Sequence, residues 1–167
     1  MAAEKDQMKT AADTCVPCGE GFLNIRAGAI ILKDGRFLMV GNDRFDYLYS
    51  VGGRLHFGET AEQAVLREVE EETGVHLEID RLGFIHEDIY TADVPGREGK
   101  TIYEISFYFY MKVPEDFDPR SDSATEFGDA ERLVWVSPDD DIPMFPTFFP
   151  EELKNPSFTV KHIVTDE

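Results

Sequence analysis

Residues 52–75 read GGRLHFGETAEQAVLREVEEETGV, and no other stretch of the chain limits the fold and chemistry as tightly. Arg67-Glu68-Val69-Glu70-Glu71-Glu72 sets five charges and one valine between two glycine-containing turns. Thr60 is placed to cap a helix, with Gln63 three residues on to complete a capping box. Gly74 offers the left-handed conformation that ends one. These signals predict a helix over about 61–73, roughly three to four turns at 3.6 residues per turn. Glu68, Glu71 and Glu72 stand at i, i+3 and i+4, so they share a face. The apolar stripe of Ala61, Val65 and Val69 lies a fraction of a turn away, which sets Glu72 at its edge. Glu62, Gln63 and Glu70 face solvent. Three like charges on a partly buried edge repel one another and lose hydration. A hard divalent cation that takes oxygen ligands, such as Mg²⁺, is the natural compensation.

Length and composition bound the rest. The 167 residues, 42% hydrophobic and 12% aromatic, describe a globular chain able to bury a real core in one domain. A formal net charge of −18 argues against general binding to nucleic acid polymers or to anionic membranes. An anionic substrate would then need metal ions and a few local arginines to draw it in. The N-terminus lacks the apolar run of a signal peptide, and no later segment reaches transmembrane length, so the cytoplasm is the expected location. Cys15 and Cys18 have no second cysteine pair to complete a tetrahedral zinc site, and no strand–helix context for a redox dithiol. They read as two thiols in a loose arm.

Residues 1–20 are polar and aperiodic, and we expect a flexible N-terminal arm ahead of a single domain over 21–167. RAGAIILK and RFLMVGN flank Asp34-Gly35, a hairpin signal of type I′. A short strand at 47–51 leads into Gly52-Gly53. After Gly74, residues 76–90 read as extended with imperfect alternation. Strand 101–113 is the clearest: Tyr103, Ile105, Phe107, Phe109, Met111 and Val113 make one face. Its other face mixes Ile102, Glu104, Ser106, Tyr108 and Tyr110, which suits either a ligand-holding face or a buried one with satisfied polar groups. Residues 114–130 form a long acidic loop, 132–136 a short strand, 147–154 a short helical piece and 158–164 a last extended one. Strands on both sides of one long helix argue for a mixed sheet between helices. No glycine-rich dinucleotide or P-loop motif is present.

With its spacing, the opening stretch is Gly53, five residues, Glu59, seven residues, Arg67-Glu68-Val69, one residue, Glu71-Glu72, one residue, Gly74-Val75. This resembles, with no departure, the signature of the Nudix hydrolases, nine positions across 23 residues. An acidic helix face is ordinarily just solvated, and the complete spacing sets this one apart. The resemblance implies an α/β fold, a Nudix-like α/β/α sandwich with a mixed β-sheet. It also implies a metal-dependent pyrophosphohydrolase in which water cleaves a nucleoside diphosphate linked to some group X. The Gly53 carbonyl, Glu68, Glu71 and Glu72 would hold one to three Mg²⁺ or Mn²⁺ ions. Glu59 would brace the turn or bind a further metal. Arg67 can orient a carboxylate through a forked hydrogen bond, though as a surface partner of Glu71 it would contribute only about 0.3–0.5 kcal/mol. The general base is open between a glutamate of the motif and one in a downstream loop. Glu126 is preferred there, with Glu131 the alternative.

Substrate residues lie outside the motif. Arg26, Arg44 and Arg54 are candidates to meet phosphates, and Phe22, Tyr47 or Tyr90 to stack on a base. The four histidines show no metal spacing. A catalytically weak domain that binds or senses a nucleotide is the rival reading, although such domains typically lose motif glutamates. A calcium-binding structural protein is disfavoured, since no EF-hand loop is present. The sequence leaves the X group open, and a homodimer as well, because the aromatic tail can pack on its own sheet or on a partner's.

Overall fold

The computed structural model describes residues 12–125 and 127–166. Its elements are β1 (Cys15–Cys18), β2 (Gly21–Ile30), β3 (Leu32–Lys33), β4 (Arg36–Gly41), β5 (Leu48–Arg54), α1 (Ala61–Thr73), β6 (Glu78–Thr91), β7 (Thr101–Lys112), β8 (Arg132–Val136), β9 (Met144–Phe145), α2 (Phe149–Glu152) and β10 (Lys161–Asp166). The strands join in one mixed sheet ordered β10-β6-β7-β2-β5-β4-β3, with β1, β8 and β9 added beside β2, β4 and β5. β2 runs parallel to β7 and antiparallel to β5. The expected mixed sheet between helices is what forms.

Local chemistry explains most element boundaries. Thr60 accepts from the Gln63 N–H at 3.1 Å, and the Gln63 side chain accepts from the Thr60 N–H at 2.9 Å. Gly74 closes α1 at φ 71° with its N–H on the Glu70 carbonyl at 2.9 Å. Asp34 and Gly35 both take positive φ, 52° and 73°, as a type I′ hairpin requires. The imperfect alternation of β6 has a cause: its register against β7 shifts twice, between Ile79 and Arg81 and between Leu82 and Phe84. Such bulges re-aim the following side chains.

Two apolar clusters lie on the two faces of the sheet. Ala64, Val65 and Val69 of α1 are wholly buried against Ala27, Ala29, Val51 and Phe109. On the opposite face Phe149 and Leu153 cover Phe37, Phe84, Tyr108 and Tyr110. Strand β7 therefore divides: Tyr108 and Tyr110 fill the second cluster, whereas Ile102 and Glu104 line a cleft.

One expectation needs correction. The described part of the supposed arm, residues 12–20, is built into the sheet. Strand β1 pairs antiparallel with β2, and the Thr14 N–H donates to the Leu55 carbonyl at 2.8 Å. The reason is an open edge. Strand β5 pairs with β2 only over Arg26–Ala29, leaving Gly21–Asn24 for β1 to cover. Pro17 is tolerated on such an edge strand.

Candidate active site

Strand β5 carries Gly52-Gly53 just before its last residue, directly opposite Gly28 and Ala27 of β2. Helix α1 docks over this glycine pair, and the absence of side chains lets it approach. A Cβ on Gly53 would lie 2.4 Å from a Glu68 carboxylate oxygen. The Gly52 N–H donates to Glu72 Oε2 at 3.0 Å, and Glu72 is only 7% exposed. Glu68 and Glu72 are thus pressed against the strand end, while Glu71 on the same helix is exposed.

Burial, then the charges of Glu68 and Glu131, hold Glu72 well above the usual carboxylate range, against the opposing pull of the Gly52 N–H and Arg26. Burial likewise raises Glu68, despite the counter-charge of Arg67. Burial and mutual repulsion thus make the charged forms of these two carboxylates costly, and Arg67 and Arg26 offset only part of that cost.

Arg67 is the hub of the motif. Its Nε and Nη2 donate to the two oxygens of Glu59 at 2.8 and 2.9 Å, its Nη1 to Glu68 at 2.6 Å, and its Nη2 also to the Arg54 carbonyl at 3.1 Å. The fork is made on Glu59; the contact with Glu71 is a single one at 3.4 Å. Glu59 also accepts from the His56 N–H at 2.8 Å, so it braces the turn before α1. Burial would raise Glu59, but Arg67 and that N–H outweigh it and hold its pKa low.

Beside these carboxylates opens a cleft of about 640 Å³. Arg26, Arg54, Tyr47 and Tyr90 all line it, together with Glu68, Glu72 and Glu131. Arg26 and Arg54 are cross-strand partners in the β2–β5 ladder. Burial opposes the charge on Arg26, but Glu104, Tyr108, Tyr90 and Glu68 outweigh it and raise its pKa. Arg54 donates to Asn24 at 3.1 Å and faces Asp13 at 3.5 Å. Tyr47 stacks on Phe45, centroids 4.9 Å apart, and meets Phe145 edge-on at 5.0 Å. Tyr90 donates to Glu104 at 3.3 Å.

Arg44 is not among the residues lining the cleft: it pairs with Asp129 at 2.5 Å and lies 5.1 Å from the centroid of the Phe127 ring. Glu126 lies outside the described residues. Its alternative, Glu131, stands in the cleft, where it accepts from the Tyr49 hydroxyl at 3.0 Å.

Asn24, Asn42, Tyr49 and Glu104 escaped the sequence reading as site residues. Only Glu104 left a signal there, as a carboxylate alternating with aromatics on β7. Asn42 reads as an ordinary turn residue and Tyr49 as one more strand aromatic.

Among the described residues no three histidine, cysteine or acidic side chains are already closed on a point where an ion could sit. The donor chemistry nonetheless fits a hard divalent cation. All the donors are carboxylate or carbonyl oxygens; Glu72 is buried, Glu68 is half-buried, and both have raised pKa. Among the described residues no helix is long and apolar enough to cross a membrane.

A family model described as the NUDIX domain matches residues 23–152. A MutT-like protein of Streptomyces ambofaciens is 37% identical over 62 residues, 37% of this chain and 40% of that protein, so the match spans less than half of the relative. The crystal structure of a MutT NUDIX hydrolase from Burkholderia pseudomallei is similar at a TM-score of 0.55 and 24% identity, over 80% of this chain and 98% of that one. That of an ADP-ribose pyrophosphatase from Streptococcus suis is similar at 0.54 and 18% identity, over 85% and 98% of the two chains.

Proposed function

The chain belongs to the Nudix family, and on that premise we propose that it is a divalent-metal-dependent hydrolase of diphosphate bonds in small nucleoside diphosphate derivatives. The observation that carries this reading is the pairing of half-buried Glu68 and buried Glu72, both of raised pKa, with the arginine-bearing cleft beside them.

Glu68, Glu71, Glu72 and the Gly53 carbonyl would hold Mg²⁺ or Mn²⁺. A bound ion supplies positive charge against the diphosphate and its developing negative charge. The protein's own residues do the rest. Arg67 keeps Glu68 and the turn around Glu59 in place. Arg26, already inside the cleft, meets a non-bridging phosphate oxygen. The oxygen of a water molecule bonds to phosphorus as the bridging P–O bond breaks, and that bond's electron pair leaves on the released phosphate group. The water's proton passes to Glu131, a carboxylate of the cleft that follows the motif in the chain. The aromatic wall of Phe45, Tyr47 and Phe145 offers a flat surface to a base.

The test is a screen for Mg²⁺-dependent release of phosphate products. It covers nucleoside triphosphates, sugar nucleotides, ADP-ribose, NADH, dinucleoside polyphosphates and coenzyme A. We expect turnover of at least one class, abolished by chelation. Binding without turnover on every class would assign the chain to the nucleotide-sensing alternative.

A further inference from the structure

We propose that Asn42 and Tyr49 are positioning residues that form a hydrogen-bond relay of fixed polarity, aiming the Glu131 carboxylate into the cleft as an acceptor. The proposal rests on the reading of Glu131 as the carboxylate that takes the water's proton.

The polarity follows from atom types. Asn42 is 1% exposed, and its Oδ1 accepts two backbone N–H groups, from Arg44 at 2.9 Å and Phe45 at 3.1 Å. Those two bonds settle which end of the amide is oxygen. The other end, Nδ2, lies 3.1 Å from Tyr49 Oη, and an amide nitrogen donates but does not accept. The Tyr49 oxygen must therefore accept from Asn42. Its single proton is left for Glu131 Oε2, 3.0 Å away. One oxygen of Glu131 is thereby committed as an acceptor, and the other is left for the cleft.

Tertiary structure builds the relay from three segments far apart in sequence. The β4–β8 ladder ends at Gly41 opposite Arg132, so the next residue on each side is Asn42 and Glu131. The β4–β5 ladder sets Val40 opposite Tyr49. A second tether holds the same loop. Arg44, whose backbone is fixed by the Asn42 turn, pairs with Asp129 and covers Phe127. The charged and titratable groups facing Glu131 are Tyr49 on β5, Glu72 on α1 and Arg26 on β2. A carboxylate near Glu72 needs such a donor, because the neighbouring negative charge otherwise favours its protonation.

The experiment compares three single variants and the Asn42→Asp/Tyr49→Phe double variant with the wild type by steady-state kinetics against pH, and by carbon-13 NMR titration of the Glu131 carboxyl in metal-free protein. Glu131→Gln should lower kcat about 100-fold or more, as loss of a general base does. Tyr49→Phe keeps the ring and removes the donor. It should lower kcat by roughly 10-fold with little change in KM, and shift the acid limb of kcat and the Glu131 titration together to higher pH. Asn42→Asp keeps the shape and the turn-capping oxygen but replaces the donor by an acceptor, drawing the Tyr49 proton away from Glu131. It should reproduce the Tyr49→Phe shifts, and the double variant should fall well short of the product of the single effects. A Glu131 titration unmoved in a folded Tyr49→Phe or Asn42→Asp variant overturns the relay. A Glu131→Gln enzyme of wild-type kcat instead overturns the base assignment on which the positioning role depends.

Discussion

Arg67 grips Glu59 by two parallel hydrogen bonds, Nε to Oε1 at 2.8 Å and Nη2 to Oε2 at 2.9 Å, and spends its remaining nitrogen chiefly on Glu68 at 2.6 Å. One guanidinium so ties the turn before α1 to the middle of α1. Planarity matters, because an ammonium presents no fork. Arg67→Lys should destabilise the fold by about 1.5–3 kcal/mol, the range for hydrogen bonds to charged groups. Glu59→Gln should cost less than that in the Arg67→Lys background. Chemical denaturation of the four proteins in a double-mutant cycle measures the coupling; additive losses would show that the fork contributes nothing of its own.

Glu72, Glu68 and Glu131 are all raised above the ordinary glutamate pKa of 4.5, in each case with burial as the first cause. The folded form then binds protons more tightly than the unfolded chain. Between 4.5 and the raised values, stability falls as pH rises. The contribution of these three carboxylates to the thermal midpoint of metal-free protein should decline as pH rises above about 4.5. Glu72→Gln should flatten that decline and raise the midpoint at the upper end, by about 2–4 °C for each kcal/mol recovered. Calorimetry across that range is the check. A slope identical to the wild type would remove Glu72 as its source.

Metal should act on the same groups with the opposite effect on the protein's tolerance of high pH. A ligand that binds only the folded state stabilises it by mass action, and carboxylates bind cations only when deprotonated. Added Mg²⁺ should therefore raise the midpoint more at about pH 8 than at pH 5. The gain should largely vanish in Glu72→Gln, along with at least about 100-fold of turnover, as for loss of a principal ligand.

Gly52 and Gly53 should respond differently to alanine. At Gly52 the added Cβ would meet the Ala27 carbonyl oxygen at 2.2 Å and Gly28 Cα at 2.7 Å, with φ at 144°. Those atoms are backbone and do not yield. Gly52→Ala should cost about 1–3 kcal/mol, the range for forced backbone conformations. At Gly53 the Cβ meets the end of the Glu68 side chain, 2.4 Å away, which can swing aside. Gly53→Ala should keep most of its stability and lose metal affinity and turnover. Thermal melts beside Mg²⁺ titrations separate the two, and a stability loss as large at Gly53 as at Gly52 would contradict this account.

The long helix was legible from the chain alone, down to its limits at Ala61 and Thr73, its caps at Thr60 and Gly74 and the burial of Glu72 on its edge. So were the Asp34-Gly35 hairpin and strand β8. These features depend on capping, periodicity and turn chemistry within a few residues, and the Nudix spacing is itself a local pattern. What depends on strand order was not legible. Segment 12–20 became an edge strand because β5 pairs with only part of β2. Arg44 turned to Asp129, 85 residues on, and Tyr49 to Glu131, 82 residues on, because β8 lies beside β4 and β4 beside β5. A local pattern placed the glutamates of one helix on one face. Only the sheet could decide which distant side chains would stand opposite them, since long-range pairing is set by the register of whole strands and leaves no mark on any short stretch of sequence.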